Sequence, residues 1–184
     1  NLEDSLKSII GSTDFIVDAD TLENSDDISI KFQDNETKIG FNNLNPDLRQ
    51  LIYCIGKDVY SCKEYGKMTL KITSTTRDGD NESTSDHAIN GKPSERRKKL
   101  TGKDLNGNNK TYAQMGCAVD MYITVNDQKM TGEESVWLFY LIAINYTDYI
   151  RQLIWETQKR QDLPNNQITN VIHLASYGKV GKNG

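Results

Sequence analysis

Ser85-Asp86-His87-Ala88-Ile89-Asn90-Gly91 holds one of only two histidines in this 184-residue chain, and the reading of the whole sequence turns on it. Gly116-Cys117-Ala118-Val119-Asp120 adds a carboxylate downstream, and His173 is the second histidine. Two imidazoles and a carboxylate make a set from which a catalytic zinc site can be built, with the fourth position left for water. His87, Asp120 and His173 are therefore the candidate metal ligands, and Zn2+ is the candidate cofactor.

The stretches around these residues alternate like strands. Residues 118–125 are rich in β-branched and aromatic side chains and place Ala118, Asp120 and Tyr122 on one face. Leu70-Lys71-Ile72-Thr73-Ser74 reads as a strand that feeds the polar segment 75–91, which carries Arg77 and His87. Residues 149–157 and 168–177 read as two further strands around a turn at 162–166, which contains Pro164. An antiparallel pairing of these two would bring Glu156 toward His173.

Upstream, Leu2, Leu6, Ile9 and Ile10 predict a short helix closed by Gly11. Ile28-Ser29-Ile30-Lys31-Phe32 and Lys38-Ile39-Gly40-Phe41 alternate with period two and predict a hairpin turning near Asp34-Asn35. Asn45-Pro46 reads as an N-cap with proline in the first turn, and Leu48, Leu51, Ile52, Ile55 and Val59 form an apolar stripe, so a helix is expected to run to about Gly66. Thr131-Gly132-Glu133-Glu134 matches a capping box before the nearly all-apolar segment 136–144, expected to be the buried helix. The fold class that follows is α+β: a single domain with N-terminal helices and a hairpin over 1–66, packed on a mostly antiparallel sheet over 67–179 that carries the metal site. Residues 92–115 are rich in Lys, Asn and Gly and read as a surface insertion.

Composition narrows the function. A net charge of -4 and a pI near 5.2 supply no basic field for nucleic acid. The basic run with Arg96, Arg97, Lys98, Lys99 and Lys103 is read as solvated loop. No apolar run approaches the ~20 residues of a membrane span, so no membrane insertion is expected. Cys54, Cys62 and Cys117 are odd in number and lack CxxC pairing, which favours reduced thiols over a disulfide framework. The chain opens on Asn1 with no signal peptide, as expected of a processed chain or an excised fragment.

Five segments taken in order then resemble a known family: Thr73-Ser74-Thr75-Thr76-Arg77, Ser85-Asp86-His87, Gly116-Cys117-Ala118-Val119-Asp120, Gln152-Leu153-Ile154-Trp155-Glu156, and Val171-Ile172-His173-Leu174-Ala175-Ser176-Tyr177-Gly178. They look like the motifs of the D-alanyl-D-alanine carboxypeptidase-like zinc peptidases, the LAS metallopeptidases. That group includes phage endolysin peptidases and vancomycin-resistance dipeptidases and shares its fold with the zinc domain of hedgehog signalling proteins. The resemblance covers about residues 71–179. It implies hydrolysis of a peptide bond in bacterial peptidoglycan stem peptides or cross-links, with His87, Asp120 and His173 on zinc, Glu156 as the base, and Arg77 holding the scissile carbonyl or a substrate carboxylate. It further implies a phage-type lytic protein, extracellular or virion-associated, that acts at the bacterial cell wall beside other virion proteins.

Two departures stand out. The family keeps its first histidine and its aspartate a few residues apart, whereas here residues 88–119 intervene; either 92–115 is an insertion in the ligand loop, or His87 is not a ligand. Many members place the catalytic glutamate three residues before the final histidine, where this chain has Asn170; members resembling this one end the preceding strand with Trp-Glu, which assigns the role to Glu156. Among the remaining polar residues, Ser85 is expected to steady the His87 loop and contribute to substrate binding, Asp86 to support the ligands or face solvent, and Cys117 to be a small core residue. Two rival functions are a non-catalytic zinc-binding component of a virion or wall-binding assembly, and a metal-free scaffold in which the histidines are incidental.

Overall fold

A computed structural model of the chain describes residues 17–129, 133–159 and 168–178. The helix expected over the first ten residues, the start of the Thr131 capping box and the turn at 162–166 lie outside them. The described elements, in order, are α1 (Ala19–Glu23), β1 (Ile30–Phe32), α2 (Asn35–Asn42), α3 (Pro46–Ser61), β2 (Met68–Ser74), β3 (Arg77–Asp78), β4 (Ala88–Ile89), α4 (Glu95–Lys99), β5 (Thr101–Lys103), β6 (Asn109–Thr111), β7 (Ala118–Val125), β8 (Gln128–Lys129), α5 (Glu133–Asn145), β9 (Gln152–Lys159) and β10 (Ile168–Ala175).

The class is α+β, and the main sheet runs β1-β2-β7-β10-β9 with β8 on the end of β7. Its register corrects one expectation: β1 pairs with β2 in parallel, whereas β2–β7, β7–β10 and β10–β9 are antiparallel. The sheet is mixed rather than mostly antiparallel because α2 and α3 lie between β1 and β2. A helical crossover returns the chain to the same end of the sheet before the next strand begins.

That crossover also replaces the hairpin expected between residues 28 and 41. Ile30–Phe32 is a strand, but Asp34 then caps a helix: its Oδ1 accepts the Thr37 N–H at 2.8 Å and the Thr37 hydroxyl at 2.7 Å. The cap determines the local structure where alternation over four residues misleads. Phe41 is buried edge-on against Phe32, with ring centroids 5.2 Å apart, while Ile39 stays exposed.

The core lies between one face of the sheet and helices α3 and α5. Asn45 caps α3 by accepting the Leu48 N–H at 2.9 Å, and Pro46 sits in the first turn, where a missing N–H removes no bond. Leu48, Leu51, Ile52, Ile55 and Val59 are fully buried, each contributing about 1.5–3 kcal/mol relative to exposure. The helix ends at Ser61 rather than Gly66, because Cys62 is extended and its N–H closes on the Asp58 and Val59 carbonyls. From the sheet, Leu70, Ile72, Met121, Ile123, Ile172 and Leu174 meet these helices. The alternate residues Lys71, Asp120, Tyr122 and His173 consequently face the other way.

α5 is less enclosed than its composition predicts. Ser135, Leu138 and Ile142 are buried, but Val136, Tyr140 and Ile144 are exposed, Ile144 by 75%. A helix laid on one face of a sheet buries only one side, however apolar the other side is. The strand expected from residue 149 begins at Gln152, since Thr147–Tyr149 forms a 3-10 turn.

Residues 92–115 lie largely at the surface but fold around a buried centre. Ser94 caps α4, β5 and β6 form a small antiparallel hairpin, and Tyr112, Met115, Cys117 and Tyr177 make a second buried cluster with Leu100 against it. At its centre is Arg97, only 1% exposed, so the basic run contains one wholly buried guanidinium.

Candidate metal centre

Asp120 sits on β7, the central strand of the sheet, and faces away from the helices. On one side the register puts His173 of β10 directly opposite it. On the other, a bulge between Ile72 and Ser74 shifts the β2 register so that Ser74 becomes its partner. His87 arrives from the loop before β4. Its Nδ1 lies 2.9 Å from the Thr75 carbonyl, which can only accept, so the proton is on Nδ1 and Nε2 carries the free lone pair. That Nε2 is 3.4 Å from Asp120 Oδ1, and His173 Nδ1 is 2.8 Å from the same oxygen. The imidazole centroids are 5.1 Å apart at 62°.

One donor atom from each of the three residues lies within 4.8 Å of the others, a set that can hold a metal ion. Bonds of about 2.0–2.1 Å in a tetrahedral centre separate ligand atoms by roughly 3.3 Å. The His87–Asp120 spacing already has that value, and the shorter His173–Asp120 spacing is that of a hydrogen bond. The His87 side chain is only 5% exposed, whereas those of Asp120 and His173 are 23% and 17% exposed, so a fourth position can open to solvent. Burial works against ionised Asp120, but the His173 hydrogen bond and the adjoining His87 ring outweigh it and hold the carboxyl well below the usual range. Asp120 is thus an anion, as a metal ligand must be.

Arg97 ties together the two ends of the segment that separates His87 from Asp120 in the sequence. Its guanidinium donates to the carbonyls of Ser85 and Ala88, on either side of His87, at 3.3 and 3.0 Å. It also donates to the carbonyls of Tyr112 and Met115, just before the Asp120 strand, at 3.2 and 2.8 Å. The Cys117 N–H completes the join on the Asp86 carbonyl at 2.7 Å. Segment 92–115 leaves the His87 loop and returns to it, and its buried arginine pins both ends together.

Asn45 does the same for the two ligand-bearing strands. While Oδ1 caps α3, Nδ2 donates to the Gly116 carbonyl at 3.3 Å and the Ser176 carbonyl at 3.0 Å, at the start of β7 and beyond the end of β10. Gly116 is needed here because a Cβ would stand 2.0 Å from the Thr76 hydroxyl.

Arg77 and Ser85 are brought together on the His87 loop. The Arg77 N–H donates to the His87 carbonyl at 3.0 Å, its guanidinium to Ser85 Oγ at 3.3 Å, and that hydroxyl also accepts the His87 N–H at 3.3 Å. Ser85 does steady the histidine, as expected. Glu156 lies opposite Val171, two pairs along from Ile154–His173, on the same sheet face as His173 and roughly 6.7 Å further down the strand. Asn170, three residues before His173, pairs with Thr157.

Asp86 is not exposed: its carboxylate takes hydrogen bonds from Tyr177 and from Arg151, the latter at 3.0 Å, and is 10% exposed. Burial, with Asp86 beside it, pushes the Tyr177 hydroxyl up to about 12. Sequence reasoning missed Arg97, Arg151 and Thr75. Only Arg97 left a signal, in the Ser94-Glu95 helix start within the basic run. Comparison with family models, with curated proteins and with solved structures gives no match to this chain.

Proposed function

We propose that this chain is a zinc-dependent peptidase that hydrolyses a peptide bond in bacterial peptidoglycan stem peptides or cross-links, working outside the cell or on a virion at the bacterial wall. The observation that carries the reading is the convergence of His87, Asp120 and His173, three residues named by ordered motifs, onto one group with a face open to solvent. The donor set of two imidazoles and a carboxylate is one that zinc takes in catalytic sites. Zinc held there supplies a bound water whose pKa falls to about 7.

The chain's own residues do the rest. Asp120 brings the negative charge that offsets a divalent cation, and Thr75 fixes the His87 tautomer with Nε2 free. Glu156 takes the water proton on its carboxylate and returns it to the leaving amine. Arg77 offers a fork of donors to the carbonyl oxygen as it gains charge, or to a substrate carboxylate. Ser85 orients that guanidinium.

One observation favours a second reading, a zinc-binding but non-catalytic virion or wall-binding component: Glu156 sits two residue pairs away from the His173 row. The test measures zinc content and the release of new amino groups from purified peptidoglycan. The native chain should hold about one zinc and release amines, His173→Ala should lose both, and Glu156→Gln should keep zinc while its rate drops on the order of 10²–10⁴-fold. Zinc without amine release on any wall chemistry would leave the non-catalytic reading standing. A chain that takes up no zinc would end both.

A further inference from the structure

The two edges of the main sheet are built differently. β1 has three residues and sets the exposed side chain of Lys31 at its middle, a short, charged edge that discourages a further strand. β9 ends the sheet on the other side among the described residues, runs for eight residues and keeps an unbroken register with β10 from Gln152 to Lys159. No proline, lysine or bulge interrupts Gln152-Leu153-Ile154-Trp155-Glu156, and Trp155 is 41% exposed there. Every second residue of such an edge turns its N–H and carbonyl outward, which makes the edge a template for another strand.

The sequence of this edge is complementary to itself. Directly opposed residues of an antiparallel pair share a sheet face, so a two-fold axis between identical strands passes through a residue rather than between two. With Glu156 on the axis, carboxylate would meet carboxylate; with Trp155 there, Ile154 would meet Glu156. Ile154 on the axis sets Ile154 against Ile154, Leu153 against Trp155 and Gln152 against Glu156, which matches apolar with apolar and an amide donor with a carboxylate. We infer that β9 is an interface for a second copy of this chain, joined edge to edge about Ile154 into one continuous sheet. The axis stands perpendicular to the sheet, so both metal groups open on the same face. His173 lies in the Ile154 row, and three strand spacings then put the two His173 residues about 14 Å apart. The dimer presents two centres side by side, able to engage two points of one extended ligand. The interface is independent of the peptidase chemistry.

Sedimentation of the full chain from about 1 µM to about 500 µM should show a monomer–dimer equilibrium with a Kd on the order of 10–100 µM, since one added strand buries less than the ~1,200 Å² of stable complexes. Ile154→Lys puts two ammonium groups face to face and should weaken the dimer more than about tenfold, with the circular dichroism of the monomer unchanged. Thiol trapping reads the register even where that variant fails to fold. Ile154→Cys sets the introduced thiols on residues whose Cα atoms are about 4.5–5.5 Å apart, where a bridge closes. Gln152→Cys leaves them roughly 14 Å apart, beyond any bridge. Under mild oxidation, peptide mapping should find the intermolecular bridge between introduced thiols in the first variant and not in the second. A chain that stays monomeric at every concentration overturns the inference and leaves the edge to another protein's strand. Dimers that survive Ile154→Lys, or that bridge equally from both positions, overturn it too.

Discussion

Beneath the sheet, Leu51, Ile55 and Ile72 exclude water with apolar side chains alone, whereas beneath the His87 loop the packing closes around a guanidinium bonded to backbone carbonyls. The first region is ordered by burial, which is non-directional and tolerates adjustment. The second is ordered by hydrogen bonds, which fix where each carbonyl stands. The metal group straddles the seam between them: Asp120 and His173 come from strands backed by the apolar core, and His87 comes from the loop that Arg97 pins. Geometry at the centre therefore depends on both regions, but in different ways.

Replacing Arg97 should have the largest effect, because it removes the organising group of one region and leaves the carbonyls of Ser85, Ala88, Tyr112 and Met115 buried without that donor. Arg97→Ala is expected to cost about 3–5 kcal/mol in urea denaturation and to weaken zinc binding by about 10–100-fold in a chelator competition. Arg97→Lys should recover little, since a point charge cannot serve the four carbonyls that a planar fork reaches. A variant that keeps native zinc affinity would show that the seam is held by something else.

Leu51→Ala makes the complementary break. A cavity under the sheet should cost about 2–5 kcal/mol, yet the folded fraction should bind zinc within about twofold of the native chain, because distant sites add independently. If Leu51→Ala weakens zinc as much as Arg97→Ala does, the two regions do not differ as described.

The same difference explains what could be read from the sequence. The α3 stripe and the strands at 118–125 and 168–177 were legible because apolar burial writes a period into the chain, 3.6 or 2.0, that needs no partner to be recognised. The candidate metal group was legible because so few residue types bind metal ions and the chain has only two histidines. Arg97 was not, because a buried arginine and a solvated one look alike until the carbonyls around it are known, and those carbonyls carry no sequence signal. The hairpin expected near Asp34 failed for a related reason: the Asp34 cap on Thr37 outweighed a short alternation. The parallel β1–β2 pairing depended on that helix forming.

The smallest effect offers the finest separation of the two regions, because each holds one buried thiol. Cys54 lies in the apolar core and Cys117 in the cluster beside Arg97, while Cys62 is half-buried at the end of α3. Burial pushes Cys54 up to about 12 and Cys117 up to about 11. A thiol at about 11 is ionised in about one molecule in a thousand at pH 8, and the thiolate is the reactive form. Alkylation of the folded chain at pH 8 should therefore label Cys62 first, with the two buried thiols reacting only as their surroundings open. Under Arg97→Ala, peptide mapping should show Cys117 labelled faster by about tenfold or more, because the local cluster opens at less than the global unfolding free energy, with Cys54 still protected. Equal acceleration of both thiols would mean that the clusters open together, and that the guanidinium stabilises the whole fold rather than the loop that carries His87.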